Sequence, residues 1–258
     1  MSLVIATGMA VEARIAGAGN FATIVGAGQA GRLAADLEVA VAGQATRILS
    51  FGFAGGLAPQ LRAGDLIVPH GLRDGEIRLP CDPAWRAGMR RRLQGATSAQ
   101  PQDGRSLSSP GDEAVFRMSG DGGWRAAHGA SGQFETVDIL GADAPVANAK
   151  EKAALFASSG AAAVDMESAI VARIAQRHRI PFAILRVILD PADRSLPSVA
   201  LKALGPEGTI DFAGLLVGLL ARPGQIFPLL RLAQDARRAL LALRQAGAVL
   251  GVDFASLG

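Results

Sequence analysis

Hydrophobic positions along this chain come in short continuous runs, separated by stretches with helical spacing. Leu3-Val4-Ile5-Ala6 predicts a buried strand ended by Thr7-Gly8, and residues 10–18 have helical composition. Residues 21–25 predict a second strand closed by Gly26-Ala27-Gly28, and residues 29–42 then carry apolar side chains at helical spacing. Further strands are predicted at 47–53 (broken by Gly55-Gly56), 66–69, 133–140, 162–164 and 182–189, with helices at 147–158 and 166–178. Residues 98–112 and 190–208 read as polar loops, and apolar helices at 210–221 and 226–247 finish the chain. Strands alternating with helices predict an α/β domain with helices on both faces of its sheet. Ligands of such sheets bind outside the carboxyl ends of the strands, so the chemically useful residues are expected just after strands.

Composition narrows the class. Half of the 258 residues are hydrophobic and 19% are charged, with a mean hydropathy of +0.28, which excludes a disordered chain. A domain of this length buries a core without staples. The one cysteine, Cys81, excludes an intrachain disulfide, and the scattered His70, His128 and His178 make no ligand cluster, so no metal is expected. No run approaches the roughly 18 apolar residues of a membrane span; the longest, residues 212–221, is stopped by Arg222 and Pro223. The first charged residue is Glu12, so the basic flank of a secretory signal is missing and a cytoplasmic location is expected. The net charge of +3 resides in residues 212–258, where five arginines face two aspartates. Basic residues are not interleaved with aromatics, so nucleic acid is not an expected partner. Residues 209–258 read as a basic, apolar helical extension of a single domain spanning 1–258. Two uses fit that extension: a core-covering helix with a solvated basic face, or an interfacial helix that meets anionic lipid at the inner face of a membrane.

Gly26-Ala27-Gly28-Gln29-Ala30-Gly31 has the G-x-G-x-x-G spacing of a dinucleotide-binding turn. That site also needs an acid about 20 residues on, and the following strand at 47–53 carries none. An NAD-dependent oxidoreductase built on Gly26, Gly28 and Gly31 is therefore the weaker reading, and a tight strand-to-helix turn the stronger. Glu12, Glu167 and Asp190 each follow a predicted strand. Singly, each has a plain structural use. Glu12 and Glu167 fall in first helical turns, where the helix dipole favours a carboxylate, and Asp190 before Pro191 suits an N-cap or Asx turn. Together they converge on one crevice, where acids in separate environments divide acid and base roles.

Val164-Asp165-Met166-Glu167-Ser168-Ala169 resembles the V-E-M-E-A signature of the purine nucleoside and uridine phosphorylase superfamily, in the branch of the methylthioadenosine/adenosylhomocysteine nucleosidases. Gly8-Met9-Ala10-Val11-Glu12 is similar to that branch's A-M-x-x-E start, and Gly26-Ala27-Gly28-Gln29-Ala30 to its G-I-G-K-V turn. Ser50-Phe51-Gly52-Phe53-Ala54-Gly55-Gly56-Leu57, then Ala63-Gly64-Asp65-Leu66-Ile67-Val68-Pro69, resemble its T-G-S-A-G-G-L and G-D-I-V-V block. Ala142-Asp143-Ala144-Pro145-Val146 resembles G-D-x-F-I, and Arg186-Val187-Ile188-Leu189-Asp190 resembles R-A-I-S-D. The resemblance runs over residues 3–195. It implies a three-layer α/β/α nucleoside phosphorylase-like fold with a central mixed sheet. It also implies cleavage of the N-glycosidic bond of an adenine nucleoside, by water or by phosphate as co-substrate, with no other cofactor.

The resemblance further implies Glu12 as general base on the attacking water and Asp190 as the acid that protonates purine N7. Met166 and Glu167 would hold the ribose, the backbone of Val146 would read the base, and Phe53, Gly55 and Arg186 would line the substrate pocket. A homodimer is implied by the family's habit of completing the pocket across a subunit interface. Some positions depart from the pattern. Phe53 stands where the family has Ser or Thr, Ser50 where the phosphorylases have a phosphate-binding arginine, Pro145 in place of a stacking Phe, and Leu189 in place of Ser. The missing arginine beside a retained Glu12 favours water. The S-F-G-F-A-G-G-L and R-V-I-L-D-P-A-D segments with the arginine-rich tail are most similar to the hopanoid-associated phosphorylases. This implies a lipid-linked substrate, adenosylhopane, in hopanoid biosynthesis. A non-catalytic lipid-binding relative is the remaining alternative.

Overall fold

The computed structural model describes residues 2–17, 21–95, 114–120, 123–127, 137–195 and 226–251. The loop predicted at 98–112 and the helix predicted at 210–221 lie outside the described residues, as does most of the loop at 190–208. Among the described residues eleven strands form one mixed sheet. Its pivot is β3 (Ala45–Gly56), a strand long enough to serve several neighbours. One edge pairs in parallel with β11 (Phe182–Asp190), from Ile48 opposite Phe182 to Gly55 opposite Asp190. The other edge is shared. β1 (Ser2–Thr7) pairs in parallel as far as Ser50, and β10 (Ala163–Asp165) pairs antiparallel at Gly55 and Gly56. Between these two partners, residues 51–54 have no strand beside them on that edge among the described residues.

The sheet extends from this pivot. β1 carries β2 (Ala22–Val25) on its outer side. Beyond β10 lie β9 (Asp138–Gly141), β5 (Gly71–Asp74) and β6 (Ile77–Pro80). Beyond β11 lie β4 (Leu66–Ile67), β7 (Val115–Met118) and β8 (Trp124–Ala126). Side chains alternate across the pleat, so Ile48 and Ile184 face one layer while Leu49 and Leu185 face the other. On the first face α2 (Ala30–Ala42) and α5 (Ser168–His178) bring Leu33, Leu37, Val171 and Ile174. On the second, α1 (Ala10–Ala16), α3 (Pro83–Gly95) and α6 (Ile226–Leu250) bring Ala16, Trp85, Met89, Leu243 and Leu250. Each large apolar side chain so buried contributes roughly 1.5–3 kcal/mol. The three-layer α/β/α expectation is met. Among the described residues no helix is long and apolar enough to cross a membrane.

Several predicted boundaries are corrected. The third strand does not break at Gly55-Gly56, because β10 pairs with both. The helix predicted at 166–178 begins at Ser168, since the Ser168 amide donates to Asp165 Oδ1 at 3.0 Å and closes the turn before it. Glu167 is thereby the N-cap residue and not a first-turn residue. Asp190 is the last residue of β11 and not a helix cap. The Gly26–Gly31 turn ties β2 to β1: the Gly26 amide donates to the Thr7 carbonyl at 2.7 Å and the Ala27 amide to the Gly8 carbonyl at 2.9 Å. The Gln29 amide in turn donates to the Gly26 carbonyl at 2.8 Å, so the turn is closed by the chain's own hydrogen bonds just before α2.

Candidate active site

The carboxyl ends of β1, β3, β10 and β11 meet at the unpaired stretch of β3, and Glu12 fills it. Glu12 is the third residue of α1, and its buried carboxylate takes the place of a strand. The Phe53 amide, which a neighbouring strand would otherwise bind, donates to Glu12 Oε1 at 2.7 Å. The Gly8 and Met9 amides donate to Oε2 at 2.7 and 2.8 Å, so the same side chain caps its own helix. Burial pushes the Glu12 carboxyl up, while the Arg186 charge and these three amides hold it down. Gly52 makes the approach feasible. It adopts φ +153°, and a Cβ there would lie 2.5 Å from Glu12 Oε1 and 2.7 Å from Arg186 Nη1.

Arg186 reaches this point from β11 and has no solvent exposure. Its Nε donates to Asp165 Oδ2, and its Nη2 donates to Ser50 Oγ at 2.6 Å and Ser168 Oγ at 3.2 Å. Ser168 Oγ donates in turn to Asp165 Oδ2. Nη2 also stands 3.7 Å from Glu167 Oε2. Nη1, on the Glu12 side, has no hydrogen-bond partner among the described residues. Glu167 is pushed up to about 7, first by burial and also by the neighbouring Asp165 and Glu12 carboxylates, against the pull of Arg186 and of the Met166 amide. Here too a glycine yields space: a Cβ on Gly8 would lie 2.6 Å from Glu167 Oε1.

Asp190 forms the other end of the site. It lies opposite Gly55, whose hypothetical Cβ would be 3.5 Å from Asp190 Oδ1 and 3.4 Å from Val164. Val146 packs against the small apolar cluster that holds Leu57 and Val164. Burial pushes the Asp190 carboxyl up, and Lys152, in direct contact with Oδ2, opposes that. Thus Glu12, Glu167 and Arg186 lie together with the amides of Phe53 and Met166, and Gly55 lies beside Asp190 and Val164, against whose cluster Val146 packs. Phe53 contributes its amide to Glu12, while its ring packs against the apolar cluster to which α6 belongs. Sequence reasoning passed over Gly52, Asp165, Ser168 and Lys152. Asp165 was within reach of it, as the acid two residues before Glu167 in the same motif.

A sequence profile described as "Phosphorylase superfamily" matches residues 2–221. A search of curated proteins finds no match. Among solved structures, the fold is similar to the 5′-methylthioadenosine/S-adenosylhomocysteine nucleosidase of Neisseria meningitidis in complex with methylthio-immucillin-A. That match has a TM-score of 0.57 and 12% identity, and covers 97% of this chain and 98% of the other. It is also similar to the S-adenosylhomocysteine nucleosidase of Streptococcus pyogenes, with a TM-score of 0.52 and 16% identity over 94% of this chain and 95% of the other.

Proposed function

Because the chain belongs to the phosphorylase superfamily, we propose that it hydrolyses the N-glycosidic bond of an adenine nucleoside and releases adenine. The observation that carries this reading is the gathering of Glu12, Glu167 and Asp190 at the ends of β1, β10 and β11, with one arginine between the first two. A water held by Glu12 and the free Nη1 of Arg186 attacks C1′. Glu12 takes the water proton as the new C–O bond forms. The C1′–N9 bond breaks, its electron pair passes into the purine, and Asp190 gives a proton to N7. Glu167 accepts hydrogen bonds from the ribose hydroxyls and faces the positive charge that builds on the sugar. The named relatives are methylthioadenosine and adenosylhomocysteine nucleosidases, which supports an adenine nucleoside as the substrate class.

Charge favours water over phosphate. Arg186 is already faced by Asp165, Glu167 and Glu12, so a phosphate dianion would enter a cluster with an excess of carboxylates. Adenine release from adenosine, 5′-methylthioadenosine and a 5′-alkylated adenosine, each with and without phosphate, tests the reading. Equal rates with and without phosphate are expected, with the free sugar (ribose from adenosine, the 5′-substituted ribose from the others) and no sugar 1-phosphate as the second product. Strict phosphate dependence would overturn hydrolysis, and no adenine from any nucleoside would overturn the whole reading.

A second reading concerns the membrane. On α6 the side chains of Phe227, Leu230 and Leu241 are exposed, among exposed Arg231, Arg237, Arg238 and Arg244. This mixture favours contact with anionic lipid and a nucleoside whose 5′ substituent is apolar, adenosylhopane being the example implied by sequence resemblance.

A further inference from the structure

Lys152 is a lysine with no solvent exposure. It sits in the first turn of α4 (Ala149–Ser159) and is that helix's one fully buried residue. Its Nζ donates to Asp190 Oδ2, to the Pro191 carbonyl at 3.0 Å, to the Arg194 carbonyl at 3.1 Å and, more weakly, to the Asp190 carbonyl at 3.5 Å. All four acceptors belong to one segment, residues 190–194. The start of α4 is fixed by Asn148, whose side chain accepts from the Lys150 amide, and is tied again to this segment by the Ala149 amide on Ser195 Oγ at 3.1 Å. An ammonium removed from water is tolerated only when paired and hydrogen-bonded, and here every contact is spent on the end of β11.

We propose that Lys152 is the positioning residue of Asp190: it holds one carboxyl oxygen so that the other meets the substrate, and its charge stabilises the carboxylate left after proton transfer. The inference rests on the reading of Asp190 as the acid. Oδ2 is engaged by Lys152, and Oδ1 is the oxygen nearer Gly55. In the active form Asp190 carries a proton on Oδ1, with Oδ2 held by Lys152 Nζ. As the C1′–N9 bond breaks, that proton moves to N7, and an ammonium–carboxylate pair remains. Water then reprotonates the carboxylate. Among the described residues the other charged groups acting on Asp190 are few. β3 meets Asp190 with Gly55 and Gly56. From α6 Asp235 acts on it at longer range, and Asp235 is itself paired with Arg194 and Arg238.

Without the ammonium, Asp190 holds its proton to higher pH and gives it up less readily. The test is the pH dependence of adenine release by wild type, Lys152→Met and Lys152→Arg, each checked for folding by circular dichroism. For Lys152→Met, a maximal rate at least tenfold lower is expected, with the basic limb of kcat/KM moved up by about one pH unit or more. Lys152→Arg keeps the charge and should leave that limb where it is. Should Lys152→Met not fold, Lys152→Gln replaces it, retaining donors for the carbonyls without the charge. A p-nitrophenyl riboside, whose leaving group departs unprotonated, should be cleaved by the folded variants at near the wild-type rate. Slowing of both substrates alike, with the limb unmoved, would make Lys152 merely structural and overturn the proposal. So would a folded, uncharged variant with the wild-type profile. Failure of the wild type itself to release adenine would instead overturn the assignment of Asp190.

Discussion

The two cations of the site are set in different charge ratios, one outnumbered by carboxylates and one balanced. Around Arg186 stand three carboxylates, those of Asp165, Glu167 and Glu12. Around Lys152 stand one carboxylate and three carbonyls. On the proposed reading the first ratio suits the sugar, where positive charge develops and surplus anion stabilises it. The second suits the base, where a group must give up a proton and take it back with little change in its surroundings. A site that had to bind phosphate would need the first ratio reversed.

The largest effects should come from disabling the acid at each end. Asp190→Asn should slow adenine release by about 100-fold or more, since positioned proton transfer contributes about 10²–10⁴-fold. Glu12→Gln should be comparably severe in phosphate-free and phosphate-containing buffer alike. A mild effect confined to phosphate buffer would mean that an anionic nucleophile attacks and that the crowd of acids has been misread. Rates near wild type for both variants would place the active site elsewhere.

The surplus of acid at the Arg186 end should also appear in stability. Glu167 is raised from 4.5 to about 7 in the folded protein. The unfolded chain therefore releases this proton first as pH rises, and stability is lost across that window. Burial raises Glu12 and Asp190 in the same direction. Chemical denaturation from pH 5 to 7.5 should show a loss on the order of 2–3 kcal/mol. Glu167→Gln should flatten much of the slope. A wild-type stability that rises over this range would contradict the charge ratio described.

Gly52→Ala sharpens the comparison, because it touches one end only. Its Cβ would collide with Glu12 and Arg186 at a φ of +153°. A destabilisation of about 2 kcal/mol is expected, with loss of turnover and no change in the acid's pH limb. The smallest effect belongs to α6. Co-sedimentation with anionic vesicles should be salt-sensitive, since attraction is worth about 1 kcal/mol per basic residue near the surface and is screened. Equal recovery with neutral vesicles would remove the lipid reading.

Legibility in the sequence followed local periodicity. β1, β2, α2, β11 and the body of α5 are evident because apolar runs and helical spacing mark them, although α5 starts two residues later than its spacing predicts. The hairpin of β5 and β6 was missed although Asp74-Gly75 marks its turn and Gly75 takes φ +59°. α3 was hidden by its arginines: Trp85, Met89 and Leu93 keep helical spacing, but Arg86 and Arg90 are buried beside them. In the site, the acids following strands were readable because topology gathers strand ends. Lys152 was not, because in Lys150-Glu151-Lys152 it resembles any solvated helix charge. Its burial arises from a segment 38 residues away, and no local pattern encodes that.

The open edge of β3 has a consequence for how the enzyme comes into being. The bond that seats Glu12 joins residues 41 apart in sequence, and the bond from Arg186 to Ser50 joins residues 136 apart. Loops of such length are closed at an entropic cost before their contacts repay it. The socket therefore exists only once β1, β3, β10 and β11 are all assembled. Turnover during refolding should lag behind the recovery of helix, and catalysis should serve as a report on the last step of assembly.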